Sequence, residues 1–166
     1  SGGFPGFDLF VAPEACIQGF PQFGWENALL TMDSPQIKKF QKKCAELEVY
    51  GVFDFLLRVD EQNNYTNTAI VINDKGEIIH RYDKMNPWIP FEGSIPGRSC
   101  TVCDGPKGAK LGIIICADGD YPEMWREAAV QGANVIIRPT HYVDPWQNAW
   151  EITNKSGDYF NQVYVV

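Results

Sequence analysis

The chain has 166 residues, of which 45% are hydrophobic and 21% are charged, and its formal net charge at pH 7 is −7. This length and composition exclude a disordered protein and are typical of one globular domain with its own core. The acidic balance, without any segment rich in Lys and Arg, excludes nucleic acids and anionic membrane surfaces as favoured partners.

Apolar segments and cysteines indicate where the protein works. No apolar run approaches the roughly 20 residues that are needed to cross a bilayer. The five cysteines are an odd number and too sparse for a disulfide scaffold, so at least some are expected to be free thiols. Because free thiols fit a reducing compartment, we expect a soluble, cytoplasmic protein without membrane partners.

Short apolar segments that end at turn-forming residues predict strands along the whole chain. In chain order they are residues 7–13, 50–59, 67–74, 76–83, 110–116, 133–139 and 163–166. Helical spacing is found at residues 34–47 and 148–162, and a third helix is expected to start near Asp120 and to stop at Gly132.

Strands that alternate with helices predict an α/β layer fold. The turn at residues 74–76 forms a hairpin between two of the strands, so the β-sheet is expected to be mixed and flanked by helices. The chain begins with a few Gly- and Pro-rich residues and ends inside an apolar strand. We therefore expect residues 1–166 to form a single, incomplete domain of a longer protein.

Several familiar catalytic constellations are absent from the sequence. His80 and His141 are too few for a histidine-built metal site, and the Cys100–Cys103 pair lacks the second pair that a zinc site requires. These two thiols are expected to lie partly buried near a loop. The glycines and lysines at 105–112 lack P-loop spacing, and no G-x-S-x-G serine elbow is present.

Cys116 ends an apolar strand and stands just before a predicted helix. The free N–H groups of a helix N-terminus can stabilise a thiolate, or an oxyanion that forms on a substrate. Unpaired cysteines are also among the most buried residues, so a small apolar filler is the alternative, and this stretch alone slightly favours it. A cysteine nucleophile needs a base as well, and neither histidine is placed to provide one.

Two carboxylates and a lysine follow other predicted strands. Glu14 comes after the first strand. Because ligand sites of open α/β sheets lie at the carboxyl ends of strands, Glu14 and Cys116 can meet there. Glu14 could then act as a general base. Lys84 follows the second hairpin strand, where a cation can support a thiolate or an oxyanion. Glu92 lies in the same Pro- and aromatic-rich loop and can fold back toward Lys84. Solvated surface positions are the alternative for Glu14 and Lys84.

Three motifs stand in a distinctive order: P-E after the first strand, Y-x-K after a hairpin strand and C-x-D-G-x-x-P-E after a later strand. They resemble the motifs of the nitrilase superfamily, whose glutamate, lysine and cysteine form a catalytic triad. The chain is similar to the aliphatic amidase and formamidase branch of this superfamily at residues 67–93, 103–138 and 149–156. The first of these segments contains the pattern P-W-x-P-x-E at 87–92. The resemblance covers nearly all of the chain.

The resemblance implies a four-layer α-β-β-α sandwich, of which this chain is a part, and hydrolysis of small aliphatic amides through a cysteine thioester. Four residues would be catalytic: Glu14, Lys84, Glu92 and Cys116. Three would support substrate binding: Trp88, Asp118 and Tyr142. The implied partners are a small-molecule amide and further copies of the chain, and neither a cofactor nor a metal is required.

One residue departs from the pattern of this branch. Ala15 follows Glu14, whereas the branch has a tyrosine there, so the size of the substrate pocket is expected to differ. A nitrilase or carbamoyl hydrolase with the same triad is an alternative, against which the P-W-x-P-x-E segment argues. A truncated, non-catalytic remnant is another.

Overall fold

A computed structural model describes residues 6–19 and 27–166. The Gly- and Pro-rich residues 1–5, noted above at the start of the sequence, lie outside the described residues. The strands are β1 Leu9–Val11, β2 Tyr50–Arg58, β3 Tyr65–Ile72, β4 Ile78–Asp83, β5 Val102–Asp104, β6 Lys110–Ile113, β7 Val135–Ile137 and β8 Tyr164–Val165. The helices are α1 Pro35–Leu47, α2 Pro122–Val130 and α3 Gln147–Asn161.

The strands form two sheets, and both are mixed, as expected from the sequence. The first has the order β1-β2-β3-β4, with β1 parallel to β2 and the other pairs antiparallel. The second has the order β5-β6-β7-β8, with β5 antiparallel to β6 and the other pairs parallel. Strand β5 was not predicted, because its three residues lie where the sequence indicates a loop around the two cysteines.

Side-chain alternation along β2 shows how the first sheet is covered on both faces. Successive residues of a strand point to opposite faces. Phe53 and Phe55 pack with Ile37 of α1, and the rings of Phe40 and Phe53 stack with centroids 4.1 Å apart. Val52 belongs instead to the core that this sheet shares with the second one.

The second sheet is covered in the same way by the later helices. Met124, Trp125 and Ala128 of α2 pack in one core with Ile113 and Ile136 of the second sheet. The described residues therefore form the layers α1, first sheet, second sheet, and α2 with α3. This confirms the α-β-β-α sandwich.

A glycine inside α3 explains how that helix fits against α2. A Cβ added at Gly157 would lie 2.3 Å from the Trp125 ring, so a larger residue would push the two helices apart. Gly157 weakens the helical pattern in sequence, but its missing side chain permits this close packing. Within the described ranges, no helix has the length and apolar character needed to cross a membrane.

Candidate active site

Three buried side chains meet beside the ends of β1 and β4. Glu14 lies in the turn after β1, Lys84 follows β4 directly, and Glu92 lies in the loop after it. Lys84 Nζ donates to Glu14 Oε1 at 2.8 Å and to Glu92 Oε2 at 2.7 Å. None of the three side chains is more than 8% exposed. The structure thus brings together the lysine and both carboxylates that the sequence singled out.

Asn67 of β3 connects the two carboxylates from the other side. Its Nδ2 donates to Oε1 of Glu14 and to Oε1 of Glu92, each at 2.9 Å. The backbone N–H of His141 donates to Oε2 of Glu14 at 3.0 Å. The Asn67 contacts were not predicted, although an amide within a fully buried strand was a usable signal.

Opposite charges at this cluster attract each other and shift the pKa values of Lys84 and Glu92. Burial alone would lower the pKa of Lys84, but the carboxylates of Glu14 and Glu92 outweigh it and raise that pKa above its ordinary value. Burial would likewise raise the pKa of Glu92, and the charge and hydrogen bond of Lys84 lower it instead. Lys84 therefore stays a cation, and it can stabilise negative charge on a substrate.

Cys116 begins the 3₁₀ turn Cys116–Asp120, which lies between β6 and α2. Its φ of +48° is in the left-handed region, which residues other than glycine rarely adopt. Its N–H donates to the carbonyl of Pro139, after β7, at 2.9 Å. The helix starts at Pro122 rather than near Asp120, so the thiol adjoins a tight turn and not the helix N-terminus expected from the sequence.

The thiol of Cys116 is neutral in the resting site. Burial, followed by the charge of Glu14, raises its pKa to about 12, although Lys84 and the backbone N–H of His141 act in the opposite direction. The sequence suggested a stabilised thiolate at this position. The structure places the thiol beside a carboxylate instead, which suits proton removal by a base when a substrate is attacked.

Arg138, which the sequence analysis did not single out, holds the turn that carries Cys116. Its side chain is 1% exposed, and its Nη1 donates to Thr153 at 2.8 Å and to Asn154 at 2.7 Å on α3. A Cβ added at Gly119 would lie 2.2 Å from Arg138 Cζ. An arginine that ends an otherwise apolar strand was the available signal, because buried charges are paired in proteins.

Asp118 braces the same turn from inside the protein. Its Oδ2 accepts from Tyr82 Oη at 2.7 Å and from the N–H of Ile115 at 2.9 Å, and its Oδ1 accepts from the N–H and the Nδ2 of Asn86. It is fully buried. These four contacts occupy both carboxylate oxygens with groups of the protein, and the substrate-binding role expected for Asp118 stays a prediction.

Two neighbouring cavities meet at Cys116. One of about 190 Å³ is lined by Glu14, Lys84 and Glu92, together with Trp88. The other, of about 50 Å³, is lined by Trp88, Ala117 and Tyr142, among others. Trp88 and Tyr142, for which a substrate-binding role is predicted, therefore lie in the lining of cavities that Cys116 also lines. In the described part of the chain, no group of three or more His, Cys, Asp or Glu residues is arranged to hold a metal ion.

Ala15, which stands where the resembled branch has a tyrosine, is a buried residue. It is 1% exposed, and among the described residues it contributes to the lining of neither cavity at Cys116. Its N–H donates instead to Asp54 Oδ1, beneath the site. The effect of the missing tyrosine ring on the size of the substrate pocket stays a prediction.

The chain is similar to known proteins both in sequence and in fold. A family model described as carbon-nitrogen hydrolase matches residues 3–166. A formamidase of Photorhabdus laumondii is 42% identical over 168 residues, which are 99% of this chain and 50% of that protein. The chain thus spans about half the length of the curated relatives it matches.

Solved structures show the same fold at lower identity. Nit3 of Saccharomyces cerevisiae, a member of the nitrilase superfamily, matches with a TM-score of 0.84 and 23% identity, over 95% of this chain and 60% of that one. An amidase from Nesterenkonia sp. matches with a TM-score of 0.83 and 21% identity, over 96% of this chain and 62% of that one.

Proposed function

The chain belongs to the carbon-nitrogen hydrolase family, and we propose that the protein hydrolyses small aliphatic amides, of the formamide and acetamide type, to a carboxylic acid and ammonia. One observation carries the proposal: a buried lysine bonded to two carboxylates lies beside a cysteine thiol at the junction of two cavities. The formamidases among its relatives support the same activity.

In the first half of the reaction, Glu14 takes the proton from Cys116 and the sulfur attacks the amide carbon. The carbon–sulfur bond forms as the carbonyl π electrons move to oxygen. Lys84 Nζ and the backbone N–H of Ala117 stabilise that oxyanion. The tetrahedral intermediate then collapses, the carbon–nitrogen bond breaks, and ammonia leaves with the proton that Glu14 returns.

In the second half, a water molecule attacks the thioester while Glu14 takes one of its protons. The carbon–sulfur bond breaks, the carboxylic acid is released, and the sulfur recovers its proton. Glu92 keeps Lys84 in place through the 2.7 Å ion pair. Trp88 and Tyr142 enclose the acyl group, and a cavity of about 50 Å³ suits an acyl chain of very few atoms.

The test is ammonia release from formamide and acetamide, with an aliphatic nitrile and an N-carbamoyl amine as competing substrates. The expected result is turnover of the amides that is lost in the Cys116→Ala variant. Turnover of the nitrile or the carbamoyl compound alone would favour the corresponding alternative activity. A protein that folds but turns over none of these substrates would favour a non-catalytic remnant.

We further propose a cytoplasmic protein that assembles with copies of itself. All five cysteines are unpaired, as expected in a reducing compartment. Tyr159 and Phe160 near the end of α3 are 70% and 68% exposed, and a groove of about 820 Å³ lies between α2 and α3. Exposed apolar surface of this kind is typical of protein interfaces. Light scattering on the purified protein would give the number of copies.

A further inference from the structure

Asp54 is a buried acid beneath the candidate active site that the proposed mechanism does not use. It lies in the middle of β2, between Phe53 and Phe55, and is 0% exposed. Because residues of a strand alternate, Asp54 faces away from α1, on the same side of the sheet as Val52. It is therefore a carboxyl group inside the sandwich, between the two sheets.

One oxygen of Asp54 holds the backbone next to Glu14. Oδ1 accepts from the N–H of Ala15 at 2.6 Å. Ala15 has a φ of +51° and is 1% exposed, so its backbone is both strained and buried. The bond fixes the peptide that joins Glu14 to Ala15, and the orientation of the Glu14 side chain depends on that peptide.

The other oxygen, Oδ2, has no hydrogen-bond partner among the described residues, and neither has Oδ1 of Asn67. The register pairs Asp54 with Ala69 and Leu56 with Asn67, which places Asp54 and Asn67 on one face of adjacent strands, two register positions apart. If Asp54 were ionised, its Oδ2 and the Oδ1 of Asn67 would both remain buried acceptors without a donor, which destabilises the folded protein. A protonated Asp54 has an O–H group to donate.

The charges around Asp54 also disfavour its ionised form. Glu14 and Glu92 are carboxylates, the Cys16 thiol lies nearby, and the cation of Lys84 is already shared by the two glutamates. Burial in the first place, and then the charge of Glu14, raise the pKa of Asp54 well above its ordinary value. A third negative charge at this cluster would have no cation of its own.

We propose that Asp54 is a positioning residue, which as a neutral carboxylic acid holds the Glu14–Ala15 peptide and thereby the orientation of Glu14. The inference rests on the proposed function, in which Glu14 is the base that takes the Cys116 proton. Asp54 touches neither substrate nor the reacting atoms in this scheme. It contributes an acceptor for the Ala15 N–H without adding a charge beside the base.

The first test separates neutral from ionised Asp54. The infrared difference spectrum between wild type and Asp54→Asn is expected to contain the carbonyl stretch of a protonated carboxylic acid, present in wild type and lost in the variant. A carboxylate signal in its place would overturn the proposal. This measurement needs no turnover, and D54N retains an amide oxygen of the same shape for the Ala15 N–H.

The second test is a double-mutant cycle on the reactivity of Cys116. Iodoacetamide alkylation is followed at Cys116 by peptide mass spectrometry in wild type, D54N, D54A, E14Q and the double variant D54A/E14Q. The alkylation rate of D54N is expected to lie within about twofold of the wild-type rate. That of D54A is expected to be about tenfold lower, because a displaced Glu14 takes the Cys116 proton less efficiently. In the E14Q background, D54A should then have no further effect, since its target has been removed.

Two results would overturn the proposal. Equal slowing of D54N and D54A would mean that the negative charge of Asp54 is required. An undiminished effect of D54A in the E14Q background would mean that Asp54 acts on the fold in general and not through Glu14. Failure of the proposed function has a different signature: wild type would release no ammonia from amides although the alkylation cycle gave the expected pattern.

Discussion

The guanidinium of Arg138 donates two hydrogen bonds to the carbonyl oxygen of Cys116, through Nε at 2.8 Å and through Nη2 at 2.6 Å. The remaining nitrogen, Nη1, is bonded to two side chains of α3. A buried charge thus ties the turn of the candidate nucleophile to the outer helix. The two hydrogen bonds to the carbonyl of Cys116, together with the bond from the N–H of Cys116 to the carbonyl of Pro139, hold the left-handed backbone of Cys116 in place.

Replacing Arg138 by lysine should impair catalysis more than substrate binding. Lysine is a point charge that cannot present the planar fork, so the Cys116 carbonyl would lose one of its two donors. We expect kcat to fall by about tenfold to a hundredfold with a much smaller change in KM. Steady-state kinetics on acetamide would measure both constants. The matched control is Arg98→Lys, at an exposed arginine, and equal kcat values for the two variants would contradict the role of Arg138.

Replacing Gly119 by alanine should destabilise the protein through the same arginine. The added Cβ would lie 2.2 Å from both Cζ and Nε of Arg138, so the buried guanidinium must move. Overpacking of this kind costs about 1–3 kcal/mol, which urea unfolding would detect as a lower midpoint. Gly6→Ala is the control, because nothing lies within 4 Å of a Cβ at that position. Identical midpoints for the two variants would argue against the close packing.

Glu14→Gln should slow the reaction in a pH-dependent way. The Cys116 pKa of about 12 means that the thiol is neutral at pH 7 and ionises by itself only as the pH rises toward that value. Without the base, kcat/KM at neutral pH should fall by about 10²–10⁴-fold. The difference in kcat/KM between the variant and wild type should narrow at high pH, where the thiol ionises without a base. Because the charge of Glu14 raises the pKa of Cys116, its removal lowers that pKa, and the difference narrows at a lower pH than it otherwise would. A pH–rate profile with a constant deficit would contradict the assignment of Glu14 as base.

Trp88→Ala should extend the range of amides that the protein accepts. Trp88 lines both cavities at Cys116, so its removal joins and enlarges them. The ratio of kcat/KM for butyramide to that for acetamide should rise by about tenfold, in line with the value of a methylene group in an apolar pocket. The control is Trp150→Ala on α3, since Trp150 is 40% exposed and Trp88 41%. A ratio that stays the same in W88A would show that other residues limit the acyl chain.

Local patterns predicted most of the secondary structure and failed where a segment was short or the chain turned tightly. The apolar segments at 67–74 and 110–116 became β3 and β6 because alternation and burial are properties of neighbouring residues. The unpredicted strand β5 has three residues and pairs with β6, so its existence depends on a partner elsewhere in the chain. The turn at Cys116–Asp120, which precedes the start of α2, is bonded to Pro139 and Arg138, which follow β7 and are distant in sequence.

The sequence by itself determined the α/β class, the family resemblance and the three residues Glu14, Lys84 and Cys116, because these depend on residue types at fixed positions along the chain. The tertiary structure alone decided the neutral state of the thiol, the support from Asn67 and Arg138, and the structural use of Asp118. The physical reason is that desolvation, charge pairing and hydrogen bonds depend on which distant residues come together. Asn67 and Glu14, 53 positions apart, meet only when β1 and β3 are in one sheet.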